Sequence, residues 1–135
     1  ELLLPGLKVM QSVNLSHNKI GKTGCQLLSN LFKNECNIME LELESNNLTD
    51  VVGAIVVDNL AQHNKLRLLN LSKNLLSNNL AFRMRKYLAE DSSLEELYLH
   101  WNELTDKGAK YLFDSLTGNS TLKVLDVSWN ALTGR

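Results

Sequence analysis

The chain is poor in most of what would mark a chemical site. One proline and seven glycines in 135 residues are too few for a low-complexity or loop-dominated chain. Two cysteines, Cys25 and Cys36, cannot build a disulfide scaffold and form no zinc-type CxxC set. Reduced thiols and a cytoplasmic setting are the expectation. Lys and Arg number 14 against 15 Asp and Glu, a net charge of −1. No overall field therefore points to nucleic acid or a membrane surface, and neither is expected as a partner. No apolar run reaches the roughly 20 residues of a bilayer-spanning helix, and no secretion leader is recognisable. The histidines stand far apart at His17, His63 and His100. Gly21, Gly24, Gly53 and Gly108 make no phosphate-cradling loop. No cofactor is expected.

What is abundant is leucine, 29 residues, and asparagine, 16. Both fall on a period. Asn18, Asn46, Asn74, Asn102 and Asn130 are each 28 residues apart. Number each unit from Met10, Ile38, Leu66, Leu94 and Leu122. Position 4 is then Val13, Leu41, Leu69, Leu97 or Leu125, and position 6 is Leu15, Leu43, Leu71, Leu99 or Val127. Position 11 is Ile20, Leu48, Leu76, Leu104 or Leu132. The phrase is L-x-x-L-x-L-x-x-N-x-L, the mark of a leucine-rich repeat. Alternating inward residues predict one short parallel strand per unit, near 12–16, 40–44, 68–72, 96–100 and 124–128. The Asn amides can satisfy backbone groups where the chain leaves each strand, so they predict a ladder running from turn to turn. Several Asn-x-Ser/Thr triplets, such as 14–16 and 70–72, fall on these strands and read as accidents of the pattern rather than glycan sites.

The second half of each unit reads as a helix. Thr49-Asp50, Asn78 and Thr105-Asp106 are candidate N-caps. Cys25, Gly53, Ala81 and Ala109 supply a small slot, and Cys25 reads as a buried small residue. Leu28, Val56, Met84 and Leu112 follow, then Phe32, Leu60, Leu88 and Leu116, a stripe that faces the strands. The expected fold is α/β: a right-handed solenoid with strands concave and helices convex. "NELTDKGAKYLFDSL" at 102–116 and "LDVSWNAL" at 125–132 resemble the ribonuclease-inhibitor-like subfamily of leucine-rich repeats. That subfamily includes Ran GTPase-activating proteins, the repeats of NOD-like receptors and leucine-rich-repeat-only proteins, and the style is closest to the last. The chain departs from ribonuclease inhibitor itself, whose repeats are Cys-rich and alternate in two lengths. Residues 1–135 read as a single domain of about five repeats. Glu1 falls mid-helix in the repeat phase, Leu4 occupies the slot of Phe32, and Arg135 stops before a fifth helix. A piece of a longer array is expected, monomeric or associating end to end through uncapped repeats.

Residues 28 apart lie one strand over, about 4.8 Å away. Columns on the concave face can therefore be read directly. Position 3 is Ser12, Glu40, Leu68, Glu96, Val124, and position 5 is Asn14, Glu42, Asn70, Tyr98, Asp126. Position 7 is Ser16, Glu44, Ser72, His100, Ser128, and position 8 is His17, Ser45, Lys73, Trp101, Trp129. Two features emerge. Glu40, Glu42 and Glu44 form an acidic line extended by Glu96 and Asp126. Tyr98, His100, Trp101 and Trp129 form an aromatic edge. Such residues suit a protein partner of basic character. The bland alternatives are a solvated acidic face and a tryptophan pair that covers itself. Three glutamates could hold a hard cation, but no loop carbonyls accompany them, so no metal is expected. Ser72 or Ser128 beside His100 could suggest a nucleophile, but no oxyanion turn is evident and no enzyme is expected. Arg83, Arg85 and Lys86 read as solvated helix surface. The expected function is a non-catalytic protein-interaction scaffold. The resemblance also implies alternatives: a GTPase-activating segment, an innate-immune sensor segment, or a spacer in a large assembly.

Overall fold

The computed structural model describes residues 9–34 and 36–133. Glu1, Leu4 and Arg135 lie outside them. Five strands form one parallel sheet in chain order: β1 (Ser12–Asn14), β2 (Glu40–Glu42), β3 (Leu68–Asn70), β4 (Glu96–Tyr98) and β5 (Val124–Asp126). Each residue pairs with the one 28 places on, from Ser12 with Glu40 to Tyr98 with Asp126. The sheet is α/β in class, since a helix follows each of the first four strands.

The strands are shorter than the pattern predicts, three residues rather than five. At the end of three of them, Asn14, Asn70 and Asp126 accept, on a side-chain oxygen, the amide of the residue two on, at 2.9, 3.0 and 3.0 Å, while β2 and β4, which end in Glu42 and Tyr98, have the same length without this turn. This Asx turn offers the backbone a bond that competes with strand continuation. Inter-repeat backbone bonds still run on past each strand, as from Lys73 N to His100 O and Trp101 N to Ser128 O.

The asparagines cross between repeats. Asn46, Asn74, Asn102 and Asn130 each accept an amide of the preceding unit on Oδ1, at 2.9 to 3.2 Å. Each also donates Nδ2 to a carbonyl of that unit: Leu15, Leu43, Leu71 or Leu99. The predicted caps do something different from capping. Thr49, Ser77 and Thr105 begin their helices without a side-chain cap bond. Instead Asp50 accepts from the Ser77 amide at 2.7 Å and from its hydroxyl, and Asp106 does the same for Thr133. Asn78 likewise accepts the Thr105 amide on Oδ1 at 3.0 Å, but donates Nδ2 to the Thr105 hydroxyl oxygen at 2.7 Å. A second ladder therefore joins the helix starts.

The helices are α1 (Gly21–Lys33), α2 (Asp50–Val57), α3 (Leu60–His63), α4 (Asn78–Lys86) and α5 (Asp106–Ser115). The second unit's helix is interrupted at Asp58-Asn59. There Asn59 Nδ2 turns back to Ile55 O at 3.0 Å and across to Ser29 Oγ. The third continues into a π-helical turn, Tyr87–Asp91. Cys25, Leu28, Phe32, Val56, Leu60, Met84, Leu88 and Leu112 join the strand leucines in one core. Met10 is exposed, and Leu122, Leu125 and Val127 are only half-buried, because no described repeat stacks on their outer side. The convex arginines are engaged rather than merely solvated: Arg83 pairs with Asp58, and Arg85 lies 3.6 Å over the Phe82 ring. Among the described residues no helix is long and apolar enough to cross a membrane.

Candidate docking face

The chain leaves every strand through the same strained step. His17, Ser45, Lys73, Trp101 and Trp129, all at position 8, have φ between 55 and 64°. This left-handed region costs an L-residue about 1–2 kcal/mol and suits Gly or Asn. The backbone therefore does not select tryptophan here; it tolerates it. The two indoles stack on each other, ring centroids 4.9 Å apart and planes 9° from parallel. They remain 50% and 68% exposed, so the stack leaves a large apolar surface in solvent. Leu75, two residues beyond Lys73, is a further exposed apolar side chain on these turns. The signal in the sequence is the position-10 column, where Leu75 stands beside Lys19, Asn47, Glu103 and Ala131.

The carboxylates are unequal. Glu44 is drawn to His17 Nε2 at 3.6 Å and Lys73 Nζ at 3.7 Å, and it accepts from Asn70. Glu40 accepts from Ser12 Oγ at 3.2 Å. Tyr98 donates its hydroxyl to Glu96 at 2.5 Å, and this bond pushes the phenol's pKa up. Glu42 makes no side-chain hydrogen bond or ion pair among the described residues. The acidic line is thus real in position but partly neutralised at its Glu44 end. Asp126 accepts the hydroxyl and amide of Ser128 at 2.6 and 3.0 Å, which holds its carboxyl below the usual range.

His100 sits between neighbouring strands. Its Nδ1 lies 2.9 Å from Ser72 Oγ and 3.4 Å from Asp126 Oδ2. A nucleophile–base–acid relay needs the hydroxyl on one ring nitrogen and the carboxylate on the other. Here both approach the same nitrogen. Ser72 is also fully buried, and Ser128 is committed to Asp126. The arrangement orients an imidazole; it does not activate a serine. Among the described residues no three His, Cys, Asp or Glu side chains gather as metal ligands would.

The family described as Leucine Rich repeat matches residues 7–29, 90–113 and 118–135. Together with the 28-residue register of the sheet, this decides the architecture. The chain is built of leucine-rich repeats. Among solved structures it is similar to the tropomodulin C-terminal domain of Caenorhabditis elegans, at 18% identity and a TM-score of 0.81. That match covers 94% of this chain and 79% of the other. It is also similar to a structure titled Leiomodin-1 Actin-Binding Site 2, at 15% identity and a TM-score of 0.78, covering 93% and 74%. These likenesses show the fold. No curated protein matches the sequence.

In this leucine-rich-repeat frame, several residues of the face carry two jobs. Asp126 terminates β5 and contacts His100. Glu44 lies in the acidic line and ties together the units of His17 and Lys73. Among the described residues Glu42, Trp101 and Trp129 make no side-chain hydrogen bond or ion pair, and the two indoles touch each other.

Proposed function

We propose that the chain is a non-catalytic protein-binding scaffold whose concave face docks a basic partner. The observation that carries this reading is the tryptophan pair: two large, exposed indoles held where the backbone disfavours any bulky residue. The same φ recurs at His17, Ser45 and Lys73, so the fold imposes the step, and only at Trp101 and Trp129 does it carry an exposed indole. Tyr and Trp bury large area at low entropic cost, and a partner's guanidinium stacks well on an indole. Glu40, Glu42, Glu96 and Asp126 supply carboxylates that steer a cationic segment, while Tyr98 and His100 shape the floor between them. A rigid parallel sheet presents these groups with little ordering cost. One solved neighbour is titled an actin-binding site, which supports a protein as the class of ligand. The constant 28-residue strand–helix register supports the ribonuclease-inhibitor-like subtype, and two free buried cysteines support a cytoplasmic setting.

The test is affinity capture from native lysate with the wild type beside Trp101→Ala/Trp129→Ala and Glu40→Lys/Glu42→Lys/Glu44→Lys, each verified as folded by circular dichroism. A partner held by wild type and lost from both folded variants supports the docking face. A specific observation favours a second reading: the indoles already stack on each other. If all three forms capture the same set, the face is a cover and the chain is a spacer.

A further inference from the structure

A second group of reactive side chains lies where the chain leaves α1 for β2, against the end of α3. Cys36 Sγ is 3.6 Å from His63 Nδ1. The other ring nitrogen, Nε2, is 2.6 Å from the carbonyl oxygen of Ile38. A carbonyl only accepts, so Nε2 carries the proton and Nδ1 of the neutral ring is left bare toward the thiol. Phe32 stacks on the imidazole at 4.6 Å and fixes its plane. Burial lowers the His63 pKa, so the ring is neutral and its bare Nδ1 faces the thiol. Lys65 donates its ammonium to Cys36 O at 3.2 Å. Cys36, His63, Lys33 and Lys65 all line one surface depression of about 320 Å³. Both thiols are buried, Cys36 at 3% exposure and Cys25 wholly, but Cys36 borders the depression, whereas burial pushes the Cys25 thiol up to about 11.

We propose that Cys36 is a modification site for a small anionic disulfide of the glutathione class, with His63 as its base. His63 Nδ1 takes the thiol proton as Sγ attacks one sulfur of the incoming disulfide. A new S–S bond forms on Cys36 and the old one breaks. The Cys36 sulfur is oxidised, the departing sulfur leaves as a thiolate, and the proton passes from His63 to that thiolate or to solvent. Lys33 and Lys65 attract the carboxylates of the incoming molecule at the mouth of the depression, which admits its reacting sulfur rather than the whole molecule.

The experiment treats the folded chain with oxidised glutathione and, in parallel, with the cationic disulfide cystamine, then locates the adduct by peptide mass spectrometry. Modification at Cys36, with Cys25 untouched until urea is added, is expected. Oxidised glutathione should react faster than cystamine, and the gap should shrink in high salt. His63→Gln should slow the reaction at least about tenfold. Because that residue is buried and its variant could unfold, the exposed Lys65→Gln serves as a second variant, expected to erase part of the preference for the anionic reagent. Cys36 reacting no faster than Cys25, or only on unfolding, overturns the site. Equal rates for the two disulfides overturn the assigned ligand class.

Discussion

Removing the Asn74 side chain should cost far more than removing that of Asn18, although both hold the same repeat position. Asn74 is buried, 6% exposed. Its Oδ1 accepts the amides of Asn46 and Leu48 at 2.9 and 3.0 Å. Its Nδ2 donates to Leu43 O, Leu71 O and Ser72 O. Two of those carbonyls keep another donor after Asn74→Ala: Leu71 O keeps Asn102, and Ser72 O keeps the Ser45 amide. The variant therefore strands three groups: two amides and Leu43 O. An unsatisfied buried group costs about 1–3 kcal/mol, so about 3 kcal/mol is the lower expectation. That is a large share of the roughly 5–15 kcal/mol a domain possesses. Asn18 is exposed, and among the described residues its Nδ2 bonds Leu15 O and Ser16 O of its own unit. Water can replace those bonds, and Asn18→Ala should cost less than about 1 kcal/mol. Urea unfolding followed by far-UV circular dichroism measures both. Losses equal within about 0.5 kcal/mol would refute the claim that the ladder stabilises by satisfying buried backbone rather than by favouring a turn.

Three further outcomes follow from the same structure. Trp129→Gly should change stability by no more than about 1 kcal/mol, because relief of the left-handed backbone offsets the lost stack and the flexibility of glycine; a collapse of the urea midpoint would mean that the indoles hold the fold. Gly108→Ala should cost about 1–3 kcal/mol, since a Cβ there overlaps the Asn78 side chain that bridges to Thr105. Gly118→Ala, whose Cβ would meet nothing nearer than Ala89 O at 3.6 Å, should change little, and equal effects would count against the second ladder. His63 has a folded-state pKa below its ordinary 6.5, so the unfolded chain binds the proton more readily. Its contribution is intact above 6.5 and is lost as pH falls through the lowered folded value. Melting temperature between about pH 7.5 and about pH 5 should therefore drop more steeply for wild type than for His63→Gln; parallel slopes would contradict this.

The repeat made the fold legible, because twenty aliphatic or Met positions in phase leave little freedom for another architecture. The position-8 column also identified a pair that the structure stacks. What the columns could not show is how neighbours 28 apart use one another. Glu44 is an exposed-looking carboxylate in the alignment, yet His17 and Lys73, each one repeat away, both draw on it. Asp126 reads as a free charge, yet it ends a strand. Asp50 and Asn78 carry a helix-capping composition, yet they reach the next helix start instead. Composition near a helix start does not distinguish a bond to the helix's own amides from one to an adjacent helix 27 residues on. In a solenoid that second partner is always present.

This sharing also bears on where a partner's specificity can reside. A residue that satisfies its neighbours' backbone cannot be varied for a ligand without loss of stability, so Asn46 and Asn74 are closed to adaptation. Polar groups such as Glu44 and Asp126 are half open, since each substitution changes a turn or an inter-repeat tie along with the surface. Position 8 is different. Its φ is imposed on every unit, its side chains point to solvent, and the backbone bonds around it, as from Trp101 N to Ser128 O, do not involve the side chain. Histidine, serine, lysine and tryptophan all occupy it within one chain. His17 and Lys73 are drawn to Glu44, but Trp101 and Trp129 make no side-chain hydrogen bond among the described residues, so under the docking reading these two positions are where a side chain can be chosen for a partner at least cost to the fold.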